Sequence, residues 1–368
     1  MKKINKMKQS KLLVQTTKRV LIILLLLSFY SGFSQLKLNI DKGNAEAVFQ
    51  VLFNQKTIES SNILSLEGTK RLIDQVKRFD VEATGEHYLD ELKTAASESP
   101  VYNSNHFRFK NIKKHIEKSQ LMYDYILTKE NELSDFLNQQ LSKFLLPNEE
   151  IDLNIYLLVG GTSDGFAREN TFSIDLGFFR DDIEAVKKTM LHEAFHIIQE
   201  SVNSHYNVSM EKWNKSDQSL YEILTHLFLE GSASYLANPL IIEDPKYYSK
   251  WFQGKYRRNL DRMVDNFELF KSMLYRLKYD ENASLENVYN LGFSGTWESP
   301  NYFVGFRMCE LIKKYEGDDF LSNYIRLSPT QFFLNYNRYA KLENKPDYYP
   351  VFSDSIEKSI SKIGDKIK

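Results

Sequence analysis

Residues 189–198 carry the sequence Thr189-Met190-Leu191-His192-Glu193-Ala194-Phe195-His196-Ile197-Ile198. In an α-helix, residues four positions apart lie on one face, about 5.4 Å apart along the axis. His192 and His196 can therefore present two imidazoles to one metal ion. Glu193 is rotated about 100° from His192, which places its carboxylate beside such an ion, where it can hold a water molecule. The stretch predicts a metal-binding helix in which Glu193 is the general base.

The residues before this motif favour a buried helix. Asp181 or Asp182 can cap its start, because a side-chain carboxylate there accepts hydrogen bonds from the first free N–H groups. Apolar residues recur every three or four positions and predict a buried stripe, at Ile183, Val186, Met190, Ala194 and Ile197. The alternative interpretation is a pair of ordinary core histidines. Two imidazoles flanking a carboxylate would be costly to bury without a partner, which favours the metal.

Glu230 is the candidate for a third ligand. A catalytic zinc site takes three protein ligands and leaves one position for water. Glu230 follows the apolar residues 221–229, which predict a mostly buried helix. A buried carboxylate needs a cation, and Zn²⁺ supplies one; the alternative is a surface carboxylate paired with a lysine. Gly231 and the small residues after it would let this helix pack closely against the metal helix.

Together, these motifs resemble a known group of enzymes. His192-Glu193-x-x-His196 followed by Glu230-Gly231-x-Ala233-x-Tyr235 is similar to the gluzincin (peptidase-MA-like) metallopeptidases, and within them to the zinc-dependent peptidases of the DUF5700 type. The resemblance implies a zincin-like catalytic core, zinc held by the two histidines and the glutamate, and a peptide or protein substrate. It also implies that extended peptide binds along a sheet edge near the site.

The residue that stabilises the oxyanion is less strongly specified. Residues 301–317 are similar to a downstream Tyr-x-x-Gly helix of peptidase-MA-like proteins, which favours Tyr302. His226 lies one turn before Glu230, and Tyr235 lies close after it, so each is a further candidate. Many gluzincins carry an acidic residue four positions after the ligand glutamate. Here that position is Ser234, so the group that orients the ligand histidine must come from elsewhere.

The N-terminus predicts export. Residues 1–19 contain seven basic and no acidic residues, the apolar run 20–30 follows, and small residues lead to Gln35. This pattern is typical of a secretory signal peptide, here residues 1–34, cleaved near Ser34/Gln35. The apolar run is shorter than the roughly 20 residues of a spanning helix, so we expect no stable membrane span after cleavage. An uncleaved anchor is the alternative. The protein is thus predicted to be periplasmic or secreted.

Charge and cysteine content narrow the function further. Removal of residues 1–34 leaves 41 basic and 49 acidic residues, a balance that argues against nucleic-acid binding. Gly160-Gly161 is not followed by the Lys-Ser/Thr of a phosphate-binding loop, so nucleotide binding is not expected. Cys309 is the only cysteine. The metal site therefore cannot be a cysteine cluster, and Cys309 is predicted to be a small buried side chain.

The chain as a whole predicts a mostly α fold with a small β-sheet (α+β). Residues 35–147 are predicted to form an N-terminal helical region and 148–368 a zincin-like catalytic region with C-terminal helices, the two forming one compact unit. Helices are predicted at 44–54, 65–79, 86–97 and 106–145, and strands at 151–159 and 171–176. A turn-rich glycine loop, 160–165, joins the strands.

The sequence therefore predicts an exported zinc metallopeptidase with Zn²⁺ on His192, His196 and Glu230. Two alternatives stay open. One is an exported binding protein that keeps the motif without turnover. The other is a zinc amidase acting on a non-peptide substrate such as cell-wall material.

Overall fold

The structure is a computed structural model that describes residues 35–53, 60–97 and 104–367. The predicted signal peptide, residues 1–34, lies outside the described residues. The fold is mostly α-helical with one small mixed sheet, as the sequence predicts. Among the described helices, none is both long enough and apolar enough to cross a membrane.

Within the described residues, four strands form the sheet in the order β1-β2-β4-β3. β2 pairs in parallel with both β1 and β4, and β3 pairs antiparallel with β4 at one edge. The predicted strands 151–159 and 171–176 are confirmed as β2 and β4. β1 and β3 were not predicted from the sequence: the N-terminal region begins with a strand, and the glycine loop leads into another. The bounds are β1 Gln35–Asp41, β2 Glu150–Leu158, β3 Gly165–Arg168 and β4 Thr171–Asp175.

Seven helices lie between β1 and β2 in the described part of the chain. Helices α1 and α3 pack on β2, and α7 packs on β1. The predicted helical segment 106–145 is divided into three helices, because the backbone leaves the helical conformation at His115 and Lys129. The bounds are α1 Gly43–Leu52, α2 Ser60–Ser65, α3 Glu67–Lys77, α4 Gly85–Ala96, α5 Phe109–Lys113, α6 Ile116–Thr128 and α7 Glu130–Leu141.

The helices after the sheet build the rest of the core. The predicted metal helix is confirmed as α8, which packs on β3 and β4. The predicted apolar stripe of this helix is buried at Val186, Met190, Ala194 and Ile197 and partly buried at Ile183. Cys309 is buried, as predicted. The bounds are α8 Ile183–Val202, α9 Lys215–Leu236, α10 Tyr247–Asp261, α11 Met263–Tyr279, α12 Leu285–Phe293, α13 Pro300–Glu316, α14 Phe320–Tyr324, α15 Pro329–Glu343 and α16 Asp354–Lys366.

Helices α9 and α13 cross at two glycines. A Cβ atom on Gly231 would lie 2.4 Å from Gly305 Cα, and one on Gly305 would lie 2.4 Å from the carbonyl oxygen of Leu227. α9 packs on the metal helix as predicted, but Gly231 lies at the contact with α13 and not at that with α8. Of the small residues after it, Ser232 does face α8, where it accepts a hydrogen bond from Gln199. The crossing brings the helix of Glu230 against the helix of Tyr302.

The glycine loop is tied to the end of β4. The Asp175 carboxylate accepts the backbone N–H groups of Gly161 (2.5 Å) and Gly177 (2.9 Å). Gly160 adopts φ +120°, and a Cβ there would lie 2.3 Å from the ring of Phe109, so only glycine fits. These contacts fix the path by which the chain leaves β2 and enters β3.

Candidate metal centre

Asp182 fixes the start of α8. Its Oδ1 atom accepts the backbone N–H of Ala185 (3.2 Å), which confirms it as the cap, whereas Asp181 pairs with Lys118. The other carboxylate oxygen of Asp182 accepts hydrogen bonds from the backbone N–H (2.7 Å) and the hydroxyl (2.8 Å) of Ser249. One buried carboxylate thus begins the metal helix and holds α10 beside it.

Three potential ligand atoms converge between α8 and α9. The Nε2 atoms of His192 and His196 are 3.2 Å apart. Glu230 Oε2 lies 3.3 Å from His192 Nε2 and 3.4 Å from His196 Nε2. Tetrahedral zinc with bonds of 2.0–2.1 Å holds its ligand atoms about 3.3 Å apart. These side chains are the one group of histidines, cysteines and carboxylates that could hold a metal among the described residues, and their spacing fits zinc.

The three side chains are also electrostatically matched to a cation. Burial raises the pKa of Glu230, but the two imidazoles outweigh it and hold that pKa far below its ordinary value. Burial lowers the pKa of His196, whereas the carboxylates of Glu230 and Glu193 raise it to about 9. A proton is therefore retained where a metal would sit, and metal binding would displace it.

A cavity of about 150 Å³ opens beside the three ligands. Burial raises the pKa of Glu193, which lines it, to about 7, and the carboxylates of Glu230 and Asp164 act in the same direction. A Cβ on Gly165, the first residue of β3, would lie 3.0 Å from Glu193 Cγ, so the edge strand runs directly over this glutamate. Seven of the lining residues bear on function, Asp164, Gly165, Lys188, His192, Glu193, Lys255 and Tyr302.

A family comparison agrees with this geometry. The family model DUF5700, described as "Putative zinc dependent peptidase", matches residues 61–345. The chain belongs to this family. Zinc is therefore the metal for which the site is built, as the ligand spacing indicates. Neither the comparison with curated proteins nor that with solved structures found a match.

Gln199 orients one of the ligand histidines. Its Oε1 accepts a hydrogen bond from His196 Nδ1 (2.8 Å), which leaves Nε2 free for the metal. Its amide nitrogen donates to Ser232 Oγ on α9 (2.8 Å). Gln199 is fully buried, so the bond is shielded from water. Gln199 was not predicted from the sequence, although a polar side chain three positions after His196 in a buried helix indicates such a role.

We expect Gln199→Leu to weaken zinc binding about 10- to 100-fold, because it leaves His196 Nδ1 without an acceptor. Chelator competition on the purified protein measures the change. Gln199→Glu is the matched control, since its carboxylate can still accept from His196, and it should stay within a few-fold of wild type. Equal zinc affinity in wild type and in a folded Gln199→Leu protein would show that this bond does not position the ligand.

The three residues predicted as candidates for stabilising the oxyanion lie in different places. Tyr302 lines the cavity, with its ring centre 6.4 Å from that of His192. Burial raises the pKa of Tyr302 well above its ordinary value and the charge of Glu230 adds to the shift, so the phenol keeps its proton. The ring of His226 packs on Tyr289 at 4.8 Å, outside the cavity lining. Tyr235 packs on Phe306. Roles for Tyr302 and His226 stay predictions, and the geometry favours Tyr302.

Three charged residues of the cavity were not predicted from the sequence. Asp164 accepts a short hydrogen bond from the hydroxyl of Tyr248 on α10. Lys188 lies one turn before His192 on α8, and Lys255 reaches the cavity from α10. Lysine and aspartate are common surface residues; Lys188 shares a helix face with His192, whereas the position of Lys255 depends on the packing of α10 beside α8.

Proposed function

We propose that this protein is an exported zinc-dependent peptidase that hydrolyses peptide bonds with Glu193 as general base. The observation that carries the proposal is the placement of Glu193 in one cavity with His192, a member of the cluster that could hold zinc, in a chain of a zinc-dependent peptidase family. Zinc, when bound, supplies a Lewis acid and lowers the pKa of a coordinated water towards about 7.

Residues of the chain carry out proton transfer, stabilise the oxyanion and bind the peptide. Glu193 takes up the proton of the attacking water and returns it to the leaving amine. The protonated phenol of Tyr302 donates a hydrogen bond to the developing oxyanion. β3 is the outermost strand of the sheet and its Gly165 lies against Glu193, so its unpaired side would offer backbone hydrogen bonds to an extended peptide. These roles are the ones that the resemblance of the sequence motifs to gluzincins implies.

The decisive experiment incubates zinc-loaded protein with a mixed peptide library and identifies products by mass spectrometry. Cleavage should disappear on removal of zinc by a chelator and return when zinc is restored. His192→Ala, His196→Ala and Glu230→Ala should each lose stoichiometric zinc. A zinc-loaded wild type that cleaves no peptide would contradict the proposal. Cell-wall amides assayed in parallel distinguish a zinc amidase from a binding protein without turnover.

We also propose that residues 1–34 are removed during export, on the evidence of the basic segment and the short apolar run. The mature protein should begin at or near Gln35. Intact mass measurement of the protein recovered from the periplasm or medium tests this. A chain that still begins at Met1 would exclude cleavage and favour the uncleaved anchor.

A further inference from the structure

Two lysines line the cavity without a hydrogen-bond or ion-pair partner among the described residues. Within the described ranges, neither Lys188 nor Lys255 takes part in a hydrogen bond or an ion pair with another side chain. Lys188 is only 9% exposed. The ammonium of Lys255 lies 6.0 Å from the ring centre of Tyr302. Burial lowers the pKa of both ammonium groups, so part of their hydration has been lost.

Two carboxylates of the site, in contrast, have partners among the described residues. Glu230 contacts both ligand histidines, and Asp164 accepts from Tyr248. Glu193 lies beside the metal position. The carboxylates of Asp164, Glu298 and Glu230 and the guanidinium of Arg258 act on Lys255, but none of the carboxylates is within ion-pair distance of it. With Zn²⁺ bound, the ion and the two lysines carry four positive charges, one more than the three negative charges of the carboxylates of Asp164, Glu193 and Glu230.

A partly desolvated ammonium without an anionic partner is unfavourable. Here two of them face the place where substrate must lie. A cavity of about 150 Å³ has room for about five water molecules, which suits one side chain or chain end. We propose that Lys188 and Lys255 form a subsite for a substrate carboxylate, so that preferred peptides carry a carboxylate close to the scissile bond. The inference rests on the proposed peptidase function.

The carboxylate could belong to an acidic side chain or to the free C-terminus of the peptide. Three matched sets of short acetylated peptides separate these sources: Glu in each position with an amidated end, Gln in each position with an amidated end, and Gln with a free C-terminal carboxylate. Binding to the zinc-loaded Glu193→Gln protein, in which hydrolysis is slowed, is measured by calorimetry. Cleavage is measured with wild type.

We expect at least one carboxylate-bearing set to bind about tenfold more tightly, or better, than its neutral counterpart. The ratio of the two affinities should fall close to one in Lys188→Met and Lys255→Met. Lys255→Arg, which keeps the charge, should retain most of the ratio. Lys250→Met, on the exposed side of α10, should leave the ratio unchanged. Zinc content and circular dichroism are recorded for each variant.

Equal binding of charged and neutral peptides would overturn the subsite. So would a preference that survives in the Lys188→Met/Lys255→Met double variant, because the carboxylate would then be held by zinc alone. These experiments distinguish failure of the subsite proposal from failure of the proposed peptidase function. Peptide cleavage without a charge preference would contradict the subsite but support the peptidase function. A lysine-dependent preference without any cleavage would support the subsite but contradict the peptidase function.

Discussion

Glu193→Gln should keep zinc and the fold and lose about 10²- to 10⁴-fold or more in turnover. Glutamine preserves the size of the side chain and its hydrogen-bonding end but cannot accept the proton of the attacking water. Glu193 contributes no atom to the three-atom cluster that fits zinc, so metal content should stay stoichiometric. Elemental analysis and peptide hydrolysis on the same preparation measure both quantities.

Glu230→Gln is the matched variant for this experiment. It makes the same chemical change on α9, but at an atom 3.3 Å from His192 Nε2. A neutral amide is a poorer zinc ligand than a carboxylate, so this protein should lose zinc first and activity as a consequence. Full turnover by zinc-loaded Glu193→Gln protein would rule out Glu193 as the general base. Unchanged zinc affinity in Glu230→Gln would remove Glu230 from the ligand set.

Gly305→Ala should lower the free energy of unfolding by about 3 kcal/mol, at the upper end of the cost of overpacking. Its new Cβ would lie 2.4 Å from the carbonyl oxygen of Leu227 and 2.7 Å from Gly231 Cα. These are backbone atoms, so no rotamer change relieves the contact and the two helices must separate. Chemical denaturation monitored by circular dichroism measures the loss. Because the separation moves Tyr302 away from Glu230, hydrolysis by the remaining folded protein should also fall.

Gly254→Ala is the control for Gly305→Ala. Gly254 also lies inside a helix, α10, but the nearest atom to its added Cβ is Arg258 Nη1, the end of a flexible side chain, at 3.2 Å. Alanine favours a helix interior over glycine by about 1 kcal/mol. We therefore expect unchanged or slightly raised stability. If both variants unfold at the same denaturant concentration, the close crossing of α9 and α13 is not needed.

Sequence alone predicts the parts of this site that depend on local geometry. The ligand pair of α8 follows from helical spacing, and Glu230 follows from a carboxylate in an apolar segment. β2 was likewise readable from its apolar, β-branched sequence. Each of these signals lies within about ten residues, so it needs no knowledge of the tertiary structure.

The missed features depend on residues that are distant in the chain. β1 pairs with β2, which follows it only after the seven described helices, so no short turn in the sequence indicates that the two strands pair. Gly231 meets Gly305, and neither glycine indicates the other. Lys255 enters the cavity because α10 packs beside α8, where Ser249 donates hydrogen bonds to Asp182. The breaks at His115 and Lys129 involve neither proline nor glycine, so the sequence carries no stop signal there.

The pairing of β1 with β2 has a consequence for the order of synthesis. Asn39 of β1 lies beside Asn154 of β2, 115 positions later. At roughly 5–20 residues per second, a ribosome takes roughly 6–23 s to make the chain between them. In that interval, α1 and α3 have no β2 to pack on, and the backbone of β1 stays unpaired and prone to aggregate. We expect the newly made chain to depend on a chaperone that shields this first strand until its partner emerges.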